Sequence, residues 1–195
     1  ALTLWGMEPD IVQRTEGHWA FAGLERIRIL QEREGFSFEE ALLVVMASNV
    51  FTSHTSVPAG IDMFDPQMIS QFFSPYLPSL GISLEELLAL GRKDPGNPSE
   101  PFCMNVLATK LSGRVNAVSR LHEEVSKRLW SDLWPAIPER DIPIGHVTNG
   151  VHIPSWLSQE MADLYTRYLG PHWVEDPENV KLWKRAAEIP DEELW

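Results

Sequence analysis

Cysteine is nearly absent from this sequence, with Cys103 the single example among 195 residues. One cysteine cannot form an internal disulfide, which favours a reducing compartment. The chain also lacks any run of about 20 apolar residues, the length that a membrane-spanning helix needs. Its first residues have neither the basic region nor the apolar core of a signal peptide, and no initiator methionine. We therefore expect a cytoplasmic protein without membrane contact, and a chain that is part of a longer polypeptide.

Positive charge is also scarce. The 16 lysine and arginine residues face 28 aspartate and glutamate residues, so the formal net charge is -12. A nucleic-acid-binding protein needs a basic surface for the phosphates, and this balance argues against such a partner. The acidic surface identifies no partner by itself, because net charge mainly keeps proteins soluble. A hydrophobic content of 44% is ordinary for a globular domain, and the length is sufficient for a sizeable core.

Several common catalytic motifs are missing as well. The sequence has no His-Glu-x-x-His segment and no cysteine pair, and its six histidines are scattered singly, so we expect no metal site. It contains neither a Walker phosphate loop nor a Gly-x-Gly-x-x-Gly motif. It also lacks the Gly-x-Ser-x-Gly elbow of serine hydrolases. These absences disfavour zinc enzymes, P-loop nucleotidases, classical dinucleotide-binding folds and α/β-hydrolases.

The pattern that is present indicates an α/β fold rich in helix. Asp10–Gln13 is a candidate strand, and the apolar spacing over Trp19–Glu34 predicts a helix. Ser37–Glu40 has the form of a capping box and predicts a second helix to about Ser48. Val50–Thr52 then fits a short buried strand or the end of a helix. This strand, helix, helix, strand order is typical of α/β proteins.

The remaining elements are less regular. We predict a polar, exposed loop over Gly91–Pro101 and core packing for most of the eight tryptophans. Phe102–Trp130 has helical spacing throughout, although Gly113 and the segment Asn116–Ser119 could divide it in two. A second strand is predicted over Ile142–Val147. Further helices are predicted over Asp65–Phe73 (Asp65 as cap), Ser83–Leu90, Gln159–Leu169 and Pro177–Ala187, with a new helix starting at Asp191 as cap.

Polar residues cluster where the predicted strands end. The loops are Thr15-Glu16-Gly17-His18, Ser53-His54-Thr55 and Thr148-Asn149-Gly150. If the strands are parallel, their carboxyl ends meet at one crevice, where ligands bind in open α/β sheets. Glu16, His18, His54 and Asn149 would then face one pocket, whose mixed polar groups suit a sugar better than a phosphate. The alternatives are a merely hydrogen-bonded His54 and a Glu16 that only stabilises a helix N-terminus.

Four long segments together resemble one known family. They are GMEPDIVQRTEGHWAFAGLERIR, FTSHTSVPAGIDMF, MNVLATKLSGRVNAVSRLHEEVSKRLW and GHVTNGVHIPSWLSQEM. In this order and spacing the chain resembles the α-glucan (glycogen, starch or maltodextrin) phosphorylases, and above all their shorter bacterial and archaeal branch. The resemblance covers nearly the whole chain.

The resemblance implies a two-domain glycosyltransferase of the GT-B type, with two Rossmann-like domains facing a cleft. Residues 1–157 would form the C-terminal part of the N-terminal domain, and residues 158–195 a helical crossover towards the next. The family cleaves terminal α-1,4-linked glucose with inorganic phosphate and releases glucose 1-phosphate. Its pyridoxal phosphate is bound to a lysine of the other domain, which matches no lysine here. The chain alone is therefore expected to be inactive, and its oligomeric state is left open, a homo-oligomer included.

The resemblance also implies roles for the strand-end residues. His54 would contact the 6-hydroxyl of the reacting glucose through its side chain and the anomeric centre through its backbone carbonyl. Asn149 would hold the same hydroxyl. Glu16 and His18 would line the pocket beside the β face of the sugar.

Three positions depart from the usual family pattern. Gln13 and Thr15 stand where the family usually has His and Asn, and Ile61 stands where it usually has His. These changes keep two alternatives open. One is a nucleotide-sugar-dependent glycosyltransferase of similar fold, and the other is a non-catalytic glucan-binding homologue.

Overall fold

A computed structural model describes residues 5–194 of the chain. The chain divides into two compact units, one up to Asn149 and the other from Gly150. The predicted division after residue 157 concerns the domains of a longer protein, and it stays a prediction.

The first unit contains a four-stranded parallel sheet. The strands of the described chain are β1 (Val12–Thr15), β2 (Asn49–Ser53), β3 (Met63–Phe64), β4 (Phe102–Cys103), β5 (Arg114–Ala117) and β6 (Ile144–His146). The order in the main sheet is β1-β2-β5-β6, and every neighbouring pair is parallel. Strands β3 and β4 form a separate antiparallel pair. The predicted α/β class with parallel strands is thus confirmed.

Three helices of the first unit begin at a cap that the sequence signals. The helices of this unit are α1 (Phe21–Glu34), α2 (Phe38–Ser48), α3 (Pro66–Phe73), α4 (Leu77–Leu80), α5 (Leu84–Leu90), α6 (Met104–Lys110) and α7 (Arg120–Leu129). The side chain of Ser37 accepts from the Glu40 amide while the Glu40 carboxylate accepts from the Ser37 amide, which is a complete capping box. The same box opens α5, and Asp65 caps α3 with Pro66 in its first position.

The helix predicted over Phe102–Trp130 is not continuous, and the break considered at Gly113 is confirmed. The segment Phe102–Trp130 contains β4, α6, β5 and α7 in succession. Gly113 breaks the helical pattern because its amide donates to the Met46 carbonyl at 2.7 Å, and a Cβ there would lie 2.6 Å from that same oxygen. This close approach starts β5 beside β2. Val115 and Ala117, two residues apart, then lie on the same face of the sheet, as in a strand. The apolar residues three to four positions apart had indicated a helix instead.

Smaller differences concern element ends and burial. Strand β1 begins two residues later than predicted, and Asp191 is the first residue of its helix and not the cap. The predicted helix 177–187 is a short α-helix followed by a 3-10 turn. In the loop predicted to be exposed, Arg92 is buried and its guanidinium binds Glu85 at 2.5 Å. The tryptophans are divided: Trp130 and Trp173 are buried, but Trp5, Trp19 and Trp156 are exposed.

The core of the first unit lies on one face of the sheet. Phe51 of β2 packs there among buried residues of α1, α2 and α6, including Leu24, Val45 and Leu107. A second cluster around Ile144 gathers Val106, Ala117, Trp130 and Ile142. Each fully buried aliphatic or aromatic side chain of this kind stabilises the fold by about 1.5–3 kcal/mol.

The second unit is helical. Its helices are α8 (Ile153–Trp156), α9 (Gln159–Leu169), α10 (Val180–Trp183) and α11 (Asp191–Leu194). Tyr165, Trp173 and Trp183 pack edge to face with ring centroids 5.4–6.2 Å apart. The two indole N–H groups donate to Thr166 and to the Pro177 carbonyl. Within residues 5–194, no helix has the length and hydrophobicity required to cross a bilayer.

Candidate functional site

The carboxyl ends of the four parallel strands lie at one edge of the sheet. Thr15 pairs with Thr52, Thr52 with Asn116, and Asn116 with Gly145, so one row crosses β1, β2, β5 and β6. The segments that carry Glu16, His54 and Asn149 follow this row along their strands. The parallel arrangement therefore brings together residues that are far apart in the sequence.

Glu16 occupies an unusual backbone conformation directly after β1. Its φ is 66° and its ψ is 163°, a region that is almost confined to glycine and costs about 1–3 kcal/mol for other residues. The Glu16 amide donates to the Thr52 carbonyl at 2.9 Å, which ties the strained residue to β2. The next residue, Gly17, lies so close to Asn105 and Met104 of α6 that a side chain has no room. The turn is thus held from both sides.

The Glu16 carboxylate binds the loop after β2. It accepts from the His54 amide, and its Oε1 lies 3.1 Å from the His54 Nδ1. The Thr55 hydroxyl donates to its other oxygen at 3.0 Å. Because an ionised carboxylate can only accept, the neutral His54 imidazole is assigned its proton at Nδ1, which leaves Nε2 as an acceptor. The arrangement orients the imidazole and presents one acceptor nitrogen to a ligand.

His54 and Asn149 line the same hollow, which has a volume of about 830 Å³. The side chains on this face of the sheet are largely polar: Gln13, Thr15, Thr52, Arg114 and Asn116. The Gln13 amide donates to the Thr52 hydroxyl at 2.9 Å. The Asn149 backbone is held by a 3.0 Å hydrogen bond from its amide to the Val118 carbonyl. Beside apolar groups of the same sheet face, the hollow offers hydroxyl, amide and imidazole groups, and this mixed lining suits a neutral polyhydroxylated ligand.

The other residues singled out in the sequence lie elsewhere. His18 belongs to the 3-10 turn Gly17–Trp19, and its ring packs at 5.7 Å against that of Trp19. Among residues 5–149, neither Glu16 nor His18 lines the hollow itself, although Glu16 holds His54. Ile61 is buried in the cluster around Ile144. Of the three positions that depart from the family pattern, only Gln13 and Thr15 face the hollow.

A charged cluster at the end of β6 was not apparent from the sequence. The His146 Nδ1 contacts the Glu123 carboxylate, which also binds the Lys127 ammonium at 2.7 Å. The Lys127 ammonium, and after it His146, lowers the pKa of Glu123 below its usual value. Thr52 and Asn116 also line the hollow, although neither is among the predicted site residues. Only the strand order shows that these residues share an edge.

Lys93 and Lys110 of the first unit are engaged away from this hollow. The Lys110 ammonium donates to the Ala89 and Arg92 carbonyls at 2.8 and 2.6 Å, and Lys93 binds Asp132 at 2.9 Å. Burial lowers the pKa of Lys110. Within residues 5–194, no three histidine, cysteine, aspartate or glutamate side chains are grouped so that they could hold a metal ion.

Comparison with known proteins finds relatives that all have phosphorylase names. The chain is 41% identical over 194 residues, its whole length, to a maltodextrin phosphorylase of Thermococcus litoralis. It is 36% identical over 96% of its length to a glycogen phosphorylase of Mycobacterium tuberculosis, and 37% identical over 84% of its length to one of Aquifex aeolicus. The chain spans 22–23% of the length of these relatives. No protein-family model matches it.

Proposed function

This chain belongs to the α-glucan phosphorylase family, and we propose that it forms the glucose-facing wall of an enzyme that cleaves α-1,4-glucans with inorganic phosphate. The product is glucose 1-phosphate, released from the end of a glycogen or maltodextrin chain. One observation carries the proposal: His54 and Asn149, which follow different strands, line a single hollow on one face of the sheet.

The proposed role of His54 follows from its hydrogen bonds. With Nδ1 directed at Glu16, the Nε2 accepts a hydrogen bond from the 6-hydroxyl of the terminal glucose. The His54 backbone is held by the bond from its amide to Glu16, so its carbonyl dipole has a defined direction. A carbonyl oxygen near the anomeric carbon stabilises the positive charge that develops there when the glycosidic bond breaks.

The neighbouring groups complete the proposed sugar site. The carboxamide of Asn149 donates to the oxygen of the same 6-hydroxyl, which then both gives and receives a hydrogen bond. Glu16 orients His54 from outside the hollow. The family resemblance assigns Glu16 and His18 to the surroundings of the sugar's β face. Gln13 and Thr15 supply hydrogen-bonding groups on the adjoining sheet face.

At the level of the fold, we propose that the parallel sheet is part of a Rossmann-like N-terminal domain in a two-domain, GT-B type enzyme. Residues 1–157 then belong to that domain and residues 158–195 to the crossover. The parallel order of β1, β2, β5 and β6 supports this assignment. A cytoplasmic location belongs to the same proposal, and the oligomeric state stays open.

The family relationship implies pyridoxal phosphate in the full-length protein, where it supplies a phosphate group for proton exchange with the substrate phosphate. We propose that none of the described lysines of this chain is its attachment point. Lys93 and Lys110 are committed to partners away from the strand ends, and within residues 5–194 the hollow has no lysine in its lining. We propose that the cofactor is held by a part of the protein outside this chain.

The full-length protein provides the test. Incubated with maltodextrin and inorganic phosphate, it is expected to release glucose 1-phosphate and to contain pyridoxal phosphate. His54→Ala and Asn149→Ala are each expected to lower kcat/KM by about 10- to 100-fold, because each removes a hydrogen bond to the reacting sugar. His172→Ala is the matched control, since this exposed histidine contacts its neighbour Glu175 on the second unit.

Other outcomes would contradict the proposal. Transfer from a sugar nucleotide without phosphorolysis would identify a nucleotide-sugar-dependent glycosyltransferase. Glucan binding without turnover in the cofactor-loaded protein would identify a non-catalytic homologue. Full activity in both His54→Ala and Asn149→Ala would leave the family assignment intact and refute the assigned sugar contacts.

A further inference from the structure

His122 lies between two of the strand-end loops and has both ring nitrogens engaged. It is on the first turn of α7, and its side chain is buried, with 7% of the residue exposed. The Val118 amide donates to its Nδ1 at 3.3 Å, and its Nε2 lies 3.2 Å from the Thr55 carbonyl oxygen. The imidazole thus bridges the segment after β5 and the loop after β2.

The two partners determine which nitrogen carries the proton. A backbone amide can only donate and a backbone carbonyl can only accept, so Nδ1 is the acceptor and Nε2–H the donor. Among the side chains of comparable size, few offer an acceptor and a donor at these two positions in one rigid ring. The bridge therefore depends on histidine itself and not merely on a polar residue.

Hydrogen bonds continue from both ends of the bridge. On one side, the Val118 carbonyl accepts from the Asn149 amide at 3.0 Å. On the other side, the Thr55 hydroxyl donates to the Glu16 carboxylate, which also accepts from the His54 amide. We name this continuous series the His122 bridge: Asn149, Val118, His122, Thr55, Glu16 and His54.

We propose that His122 is a positioning residue, which holds the loop that carries His54 in register with the segment that carries Asn149. The inference rests on the proposed function, in which these two residues contact the same glucose hydroxyl. His122 does not reach the hollow's lining in the described chain. It acts through the backbones of Val118 and Thr55.

The size of the effect follows from the tolerance of active sites to displacement. Productive geometry has to be held within about 0.5 Å, and misplacement by about 1 Å can cost 100-fold in rate. The backbone of Thr55 adjoins His54, so a shift of this carbonyl moves the His54 imidazole as well. Substrate binding is less sensitive, because a glucan contacts an enzyme through several sugar units.

Three substitutions separate the two halves of the bridge. His122→Asn retains an acceptor near the Nδ1 position for the Val118 amide, and His122→Gln retains a donor near the Nε2 position for the Thr55 carbonyl. His122→Phe removes both. Ser126→Ala is the matched control, because Ser126 is equally buried on α7 and lies outside the bridge.

In the full-length enzyme, His122→Phe is expected to lower kcat for glucose 1-phosphate formation by about 10- to 100-fold, while KM for maltodextrin changes by less than about threefold. His122→Asn and His122→Gln are expected to recover part of kcat. Amide hydrogen exchange supplies a second measurement that needs no activity. His122→Phe should accelerate exchange at both residues 53–57 and 147–149, His122→Asn mainly at the former, and Ser126→Ala at neither.

Each outcome decides the proposal. Unchanged kcat in His122→Phe, or equal exchange in His122→Phe and Ser126→Ala, would overturn it. If Ser126→Ala lowered kcat as much as His122→Phe, substitutions on α7 would act through general stability and not through the His122 bridge. If His122→Phe does not fold, the two variants that keep one hydrogen bond carry the same comparison. If the wild-type protein forms no glucose 1-phosphate, the proposed function fails, and exchange alone decides whether the bridge couples the two segments.

Discussion

The two faces of the parallel sheet differ in chemistry although the same four strands build both. On one face, Phe51, Val115 and Ile144 face the buried clusters beneath the helices. On the other, Gln13, Thr52 and Asn116 line the hollow. Parallel sheets covered by helices on both sides usually have nearly continuous apolar strands. The alternation here indicates that the second face hydrogen-bonds to whatever it contacts, instead of joining an apolar core.

Arg14 is the exception on the packed face. It follows Gln13 on β1 and pairs in register with Phe51, yet only 3% of the residue is exposed. Its three guanidinium nitrogens have no hydrogen-bond partner within residues 5–194. Burial, and after it the charge of Arg26, lowers the pKa of Arg14 to about 10. The packed face therefore contains one costly charge, whereas the polar residues of the other face are satisfied or exposed.

The largest difference in the loss of stability is expected between two adjacent residues of β2, which face opposite sides of the sheet. Phe51→Ala should lower the free energy of unfolding by about 3–5 kcal/mol, because it leaves a cavity among α1, α2 and α6. Val50→Ala, on the hollow side, should cost less than about 1.5 kcal/mol. Urea denaturation of the full-length protein, followed through the first transition, measures both. Equal losses would show that the two faces are equally packed.

Arg14→Met should raise the free energy of unfolding, unlike the two substitutions on β2. Replacing the unpaired buried guanidinium with an apolar side chain of similar length is expected to raise the stability by about 1–3 kcal/mol. Since the folded-state pKa is depressed, the wild type regains stability as pH rises above about 10, and the difference should shrink there. Thermal denaturation at pH 7 and pH 10.5 measures this change.

Arg26→Met is the control for that substitution. The Arg26 guanidinium donates to Asn49 and Ser48, so its removal leaves the side-chain oxygen of the buried Asn49 without this donor and should destabilise the protein. If Arg14→Met also destabilised the protein, the Arg14 guanidinium would have hydrogen-bond partners in the full-length protein beyond residues 5–194.

The smallest loss of stability is expected for a substitution on the side of β1 that faces the hollow. Gln13→Ala removes the hydrogen bond to the Thr52 hydroxyl at 2.9 Å, but Gln13 is exposed and water can replace the amide. The loss of stability should stay below about 1 kcal/mol, measured by the same urea titration. A loss of more than about 2 kcal/mol would mean that this face contributes to the core, which would remove the contrast between the faces.

Much of the local structure was predictable because its causes are local. Capping boxes at Ser37 and Ser83 depend on residues three apart, and the structure contains both. Strand β5 was hidden, because Leu111, Val115 and Val118 also fit a helical spacing. The candidate site residues were named from polar groups at strand ends and from family resemblance, and their roles remain predictions. His122 is not among the predicted site residues, because a histidine beside an apolar helix face is more often part of the core than of a site.

The sequence alone determined the family, the α/β class, the helix caps and the presence of polar loops after apolar strands, since these depend on residues close along the chain or on long matching segments. Tertiary structure decided which strands are neighbours, which face stays polar and how Thr55 reaches His122, 67 residues away. The physical reason is that hydrogen bonds between strand-end loops require the strand order β1-β2-β5-β6. That order results from the packing of whole helices against one face of the sheet.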